Sequence, residues 1–220
     1  FFFFQAEDGI RDVAVTGVQT WLFRSAITAG LLGVKTGKQH TPLIESNDDR
    51  MQQTVFAAGK LWSTLDTVVK TDNGPTVAGG AWFAVEPTWN QGTLGGNVSG
   101  QGYISVNGKS VLFPAVGVNK NGSAVVGFTI VAQDMYPSAA YVSLSSTGAG
   151  AVNIVAAGAG PDDGFTGYPI VTGTNVGRWG DYSAASADED GAVWFATEFI
   201  PNAPRTILAN WGTYIAKVPQ

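Results

Sequence analysis

The residues of this chain that could do chemistry are few, and most stand in turns or loops. Residues 161–164, Pro-Asp-Asp-Gly, place two carboxylates side by side at Asp162 and Asp163. Calcium draws several oxygen ligands from such loops, but two adjacent Asp side chains do not complete a site, so a solvated turn is the simpler reading. Residues 188–191, Asp-Glu-Asp-Gly, lack the later Glu of a helix–loop–helix calcium loop and read as a hairpin turn. His40 has no Ser, Cys or second His at an interpretable spacing. Trp89 and Trp179 fall in expected loops, where an indole face can stack on a carbohydrate ring. Trp62, Trp82, Trp194 and Trp211 fall in expected strands and read as core between sheets. Beyond residue 25 the arginines are Arg50, Arg178 and Arg205. A planar guanidinium forks carboxylate oxygens, whether those belong to a ligand or to a neighbouring loop.

Composition narrows the classes of function. The formal charge is −5. A nucleic-acid surface needs clustered Lys and Arg to neutralise phosphates, and this chain has none. Cysteine is absent, which excludes disulfides and thiolate metal sites. No apolar run reaches the roughly 18–20 residues of a membrane-spanning helix. No Gly-rich stretch follows a strand and opens a helix, so a phosphate cradle is unsupported. Low charge with abundant Gly, Ala, Val, Ser, Thr and aromatic residues suggests a secreted or cell-surface β-rich protein. Neither sequence nor composition calls for a cofactor, calcium at Asp162 and Asp163 being the weak exception.

The first 25 residues stand apart. Residues 5–12 back-translate to CAA GCA GAA GAC GGC ATA CGA GAT, the start of a common sequencing-adapter primer. Residues 15–20 give GTG ACT GGA GTT CAG ACG, and residues 21–25 give TGG CTC TTC CGA TCT, both from the same oligonucleotide. Residues 1–25 are therefore read as an adapter-derived artefact, residues 26–46 as a poorly defined lead-in, and residues 47–220 as the folded part. The four leading Phe followed by Gln, Glu and Asp make a poor signal sequence.

Strand patterns dominate from Met51 onward, punctuated by Gly, Asn and Asp every eight to twelve residues. A weak internal repeat organises them. Two short β runs meet across Gly59, two across Asn121-Gly122 and two across Asp190-Gly191, the last two pairs suiting the positive φ of a tight hairpin. A third apolar stretch follows each hairpin, at residues 81–85, 139–144 and 213–218. Fourth strands are expected at residues 102–106 and 151–155. About three four-stranded antiparallel units of this kind read as blades of a partial β-propeller, with a β-sandwich as the alternative. A closed propeller needs about four or more blades, so the chain is expected to be the C-terminal part of a larger one, with exposed sheet edges.

Residues 178–185, Arg-Trp-Gly-Asp-Tyr-Ser-Ala-Ala, followed by Asp-Glu-Asp-Gly-Ala-Val-Trp-Phe-Ala-Thr-Glu-Phe, resemble the blade-opening pattern of secreted bacterial propellers of the sialidase-like superfamily. Residues 47–53 and 210–214 extend the likeness. The Ser-x-Asp-x-Gly-x-Thr-Trp box of the enzymatic family is missing, and residues 70–76 are at best its remnant. Meander topology puts Arg50, Arg178 and Arg205 at one rim, with Asp134, Asp181, Tyr182 and Glu198 near it and Asp188 at the far end. The resemblance implies a cast for these residues. In sialidases three arginines hold a substrate carboxylate, a Tyr activated by Glu is the nucleophile, and an Asp is the acid/base. Arg50, Arg178, Arg205, Tyr182, Glu198 and Asp181 are the corresponding candidates. The competing reading makes each Arg a local tie between loops. A non-catalytic exported binding or scaffold module is the preferred function, with a glycoside hydrolase truncated at its N-terminus as the rival. The partner expected is a carbohydrate.

Overall fold

The computed structural model describes residues 43, 44, 46, 48–71, 73–162, 176, 177, 179, 180 and 182–220. The regular elements among them are strands, assembled in chain order into three antiparallel sheets. A short parallel pair joins β1 (Leu43–Ile44) to a strand far along the chain, named below. The first sheet is a meander of β2 (Gln53–Ala57), β3 (Lys60–Lys70), β4 (Thr76–Asn90) and β5 (Thr93–Ile104). The second runs β6 (Lys109–Val118), β7 (Ala124–Ala132) and β8 (Met135–Ser145), with β9 (Gly148–Ala149) folded back on β8. Its outer strand is β10 (Asn153–Ala156). The partner of β1 is β11 (Val176–Gly177). The third sheet holds β12 (Ala184–Ala187), β13 (Val193–Phe199) and β14 (Gly212–Val218).

Gly59, Gly122 and Gly191 thus turn the first hairpin of three separate sheets, as the repeat required. Their turn chemistry is not uniform. Ala58 and Gly59 both have positive φ, 51° and 77°, which gives a two-residue type I′ turn. In the other two hairpins only the glycine is left-handed, and the expected tight turns are three-residue loops instead. Asn119 N–H bonds Ser123 O at 3.0 Å, and Asp188 N–H bonds Ala192 O at 2.9 Å. This is a type I turn closed by a glycine bulge, so Asn121 and Asp190 need no unusual backbone. Asn119 and Asp188 also accept loop N–H groups through Oδ1, which explains why a short polar side chain opens each loop.

The second sheet lies between the other two. Every residue of β7, and every residue of β6 after Lys109, is buried. A strand buried on both faces loses its apolar–polar alternation, and Ala-Val-Val-Gly-Phe-Thr-Ile-Val-Ala reads accordingly as a continuous apolar run. One core joins the first and second sheets, with Trp82, Val126 and Phe128 at its centre and Trp62 against it. Another joins the second and third through Ala115, Val125, Val193 and Phe195. A third gathers Ile44 of β1, Ala78 of the first sheet, Phe113 and Val131 of the second, and Trp179 and Ile200 from the segments just before β12 and just after β13. Three sheets packed face to face around a shared hub replace the two layers of a sandwich. The protein is all-β, a partial β-propeller, with its third sheet three-stranded among the described residues.

Candidate functional site

Meander topology predicts that first-strand starts and second-to-third connections share an end, and the coordinates agree. Lys109, which opens β6, pairs at 2.7 Å with Asp134 in the β7–β8 turn. At the same rim Arg50 folds onto Asp48, two residues earlier. Its Nε donates to Oδ1 at 2.6 Å, its Nη2 pairs with Oδ2, and its backbone N–H adds a bond of 3.2 Å. The side-chain hydrogen bond from Arg50 holds the Asp48 carboxyl below its ordinary range, and the same bond keeps the guanidinium protonated.

Tyr182 is 71% exposed and lies within electrostatic reach of Arg50. Glu198 Oε2 accepts the N–H of Gly180, two residues before Tyr182, at 2.7 Å. Meander topology puts Arg50 and Glu198 at the same rim, and the Gly180 bond ties Glu198 to the segment that carries Tyr182. Arg205 is engaged in its own loop, where Nη1 donates to Thr206 O at 2.8 Å and Ile207 O at 3.2 Å. Its Nη2 reaches Leu208 O at 3.4 Å. Arg178, Asp181 and Asp163 lie outside the described residues.

Several expectations need correction. Trp179 is not a loop platform: it is 2% exposed, in the hub, with Nε1 3.4 Å from Thr129 Oγ1. Its apolar surface is worth more in the shared core than at the rim. Asp162 is buried rather than solvated. No cluster of three or more His, Cys, Asp or Glu able to hold a metal occurs among the described residues. Trp194, expected in an inter-sheet core, faces outward from the third sheet at 42% exposure. Its Nε1 donates to Asp188 Oδ2 at 3.0 Å and Lys217 Nζ sits 5.3 Å from its ring. Trp62 and Trp82 do stack in the core, 6.5 Å apart.

Trp89 is placed on the end of β4 rather than in a loop, and it is 71% exposed. β4 and β5 run on past the sheet as a hairpin closed by Gln91 and Gly92, both at positive φ. Residues 86–94 are all exposed, so the tip projects by about 15 Å at the usual rise per strand residue. Trp89 lies opposite Leu94 in the ladder, and that cross-strand neighbour holds the indole as an exposed apolar plate.

The functional-looking residue that the sequence reading passed over is Asp66. It is 1% exposed, on the face of β3 that meets the second sheet. Its Oδ1 accepts the N–H of Phe113 at 2.9 Å. Phe113 has φ 53° and sits in the β6 irregularity between Leu112 and Ala115. Two residues earlier on β3, Thr64 Oγ1 donates to Pro114 O at 2.7 Å. Burial pushes the Asp66 carboxyl well above the usual range, the Phe113 hydrogen bond opposes this, and the charge of Asp48 adds to it. The signal was present in Trp62-x-Thr64-x-Asp66, an acid on the core-facing alternation of an apolar strand. One sheet along, Thr129 Oγ1 bonds Glu198 O at 2.7 Å and Thr197 Oγ1 at 3.1 Å, and Ser183 bonds Thr197 at 2.9 Å. Polar groups at the same repeat position thus stitch neighbouring sheets together.

No helix among the described residues is long and apolar enough to cross a membrane. No family model matches the sequence, and no curated protein matches it. Among solved structures the chain is similar to an exo-1,5-α-L-arabinanase from a bovine ruminal metagenomic library. That likeness has a TM-score of 0.37 and 9% sequence identity over 74% of this chain and 49% of the other. The chain spans about half the length of the protein it matches.

Proposed function

We propose that this chain is an exported, non-catalytic propeller module of sialidase-like type that binds carbohydrate through the projecting β4–β5 hairpin. The observation that carries this reading is the use made of the arginines. Arg50 is closed in a fork with Asp48, and Arg205 donates to three carbonyls of its own loop. Guanidinium groups spent on such local ties support a structural role rather than a clamp on a ligand carboxylate. Trp89 supplies a flat apolar face at the end of β4, beside the two-residue turn of Gln91 and Gly92, the kind of surface on which sugar rings stack.

The rival reading, a glycoside hydrolase, is favoured by one arrangement: Tyr182 near Arg50, with Glu198 bonded two residues away. Two measurements separate the readings. Affinity electrophoresis on a polysaccharide panel should show retardation that Trp89→Ala abolishes without lowering the melting temperature. A fluorogenic sialoside panel should give no turnover. Turnover lost in Arg50→Ala and Tyr182→Phe would overturn the proposal.

A further inference from the structure

The chain holds three Asn-Gly pairs, at residues 73–74, 107–108 and 121–122. An Asn followed by Gly can modify itself. The backbone nitrogen of the Gly reaches the carboxamide carbon of the Asn by closing a five-membered ring, and a residue without a Cβ leaves that approach open. In a folded protein the reaction needs both groups available, and the fold treats the three pairs differently.

In two of the pairs Asn is the third residue of a turn and Gly the fourth. Gly74 N–H donates to Thr71 O at 2.9 Å, and Gly122 N–H donates to Asn119 O at 2.9 Å. Each of these nitrogens is engaged in closing its turn. The middle pair is displaced by one position. Lys109 N–H closes that turn on Val106 O at 3.0 Å, so Asn107 and Gly108 are its two central residues. Gly108 has φ 70°, which glycine adopts without strain, and its N–H makes no backbone hydrogen bond among the described residues.

The carboxamide of Asn107 is also held ready. Asn107 is exposed to water, and its Oδ1 accepts the Thr71 hydroxyl at 3.1 Å. A Cβ added at Gly74 would collide with Asn107 Oδ1 and Thr71 Oγ1, so this oxygen lies directly on the β3–β4 turn. Negative charge gathers on Oδ1 as the carbon beside it is attacked, and a donor already aimed at that atom stabilises it.

We infer that Asn107 is a self-modification site of this chain, converted to aspartate and isoaspartate through a succinimide, with Thr71 as the oxyanion donor. The Gly108 nitrogen gives up its proton to solvent and bonds to Cγ of Asn107. The Cγ–Nδ2 bond breaks, and Nδ2 takes a proton and leaves as ammonia. Water then opens the ring: cleavage at Cγ gives aspartate, and cleavage at the main-chain carbonyl carbon gives isoaspartate. The net change turns an amide and water into a carboxylate and ammonium, with nothing oxidised or reduced. The product bears on the fold because residues 105–108 link β5 of the first sheet to β6 of the second. Isoaspartate lengthens that link by one main-chain atom. Either product adds a negative charge two residues from Lys109, which already pairs with Asp134.

The test is incubation of the full chain in neutral buffer, followed over time by peptide mapping with fragmentation that tells isoaspartate from aspartate. Asn107 is expected to convert roughly three- to tenfold faster than Asn73 or Asn121, the rate equivalent of the turn-closing bond that those two must first release. In concentrated urea, where the turns are gone, the three rates should converge. Thr71→Val should slow conversion of Asn107 by about two- to tenfold, and Thr71→Ser, which keeps the hydroxyl, should retain the wild-type rate. The comparison of Asn107 with Asn121 within one wild-type chain stands whatever the variants do to folding. Equal rates at the three pairs in the folded protein, conversion led by Asn73 or Asn121, or a Thr71→Val chain no slower than wild type would each overturn the inference.

Discussion

Replacing Asp66 with Asn keeps an oxygen that can accept the Phe113 N–H and removes the titrating proton. In the wild type, burial raises the folded-state pKa of this carboxyl above its unfolded value of about 3.9. Its contribution to stability is therefore complete below about pH 3.9 and is lost as pH rises through the folded-state pKa. The Asn variant has no such loss. The difference between the two should grow in favour of Asn from about pH 4 upward, then level off once the folded-state pKa is passed. Asp134 and Asp188, whose carboxyls are lowered by hydrogen bonds from Lys109 and Lys217, titrate in both proteins and cancel in that difference. Asp66→Leu removes the acceptor as well. It leaves the Phe113 N–H buried and unpaired, at about 1–3 kcal/mol, a cost seen most fully at pH 4, where the wild-type carboxyl is neutral. For a domain of this size that is roughly 2–12 °C in melting temperature. Urea unfolding followed by tryptophan fluorescence from pH 4 to pH 9 measures both variants. Parallel stability curves for wild type and Asp66→Asn, or a Leu variant as stable as wild type at pH 4, would refute the clamp between β3 and β6.

Other consequences follow from the same packing. A Cβ added at Gly127 would meet the Phe195 ring in the adjoining sheet, so Gly127→Ala should cost about 1–3 kcal/mol, read as a lower urea midpoint at unchanged slope. Thr129→Val conserves shape but removes the hydroxyl that bonds Glu198 O and Thr197, and should lose about 1–3 kcal/mol in the same assay. The Lys217 hydrogen bond lowers the Asp188 carboxyl, with Trp194 adding to it, so this group acts opposite to Asp66: its stabilisation is present above about pH 3.9 and lost as pH falls. Asp188→Asn should therefore flatten the acid limb of a thermal-melting profile and, because the Asp188 hydrogen bond raises the Lys217 ammonium, also flatten the alkaline limb above about pH 10.4.

The order of strands was legible in the sequence because hairpin signals are local. Gly59, Gly122 and Gly191 mark where the chain must reverse, and the apolar runs after them have nowhere to pair except beside the hairpin just formed. Three sheets rather than two layers could also be read from the repeat. The rim sorting came from meander topology alone, and Lys109–Asp134 obeys it.

Burial was not legible in the same way. Trp179 and Trp89 both looked like loop tryptophans, yet one fills the hub and the other caps a free hairpin. The difference lies in what the other sheets bring against each ring, the Thr129 hydroxyl beside Trp179 being 50 residues away in the chain. Asp66 was passed over for the same reason, since a carboxylate in a strand looks solvated until the β6 bulge delivers a backbone N–H to it. Sequence by itself determined strands, turns and their phase, because these depend on neighbours within a few positions. Tertiary structure decided which polar and aromatic groups lose their water, because that depends on surfaces supplied from elsewhere in the chain.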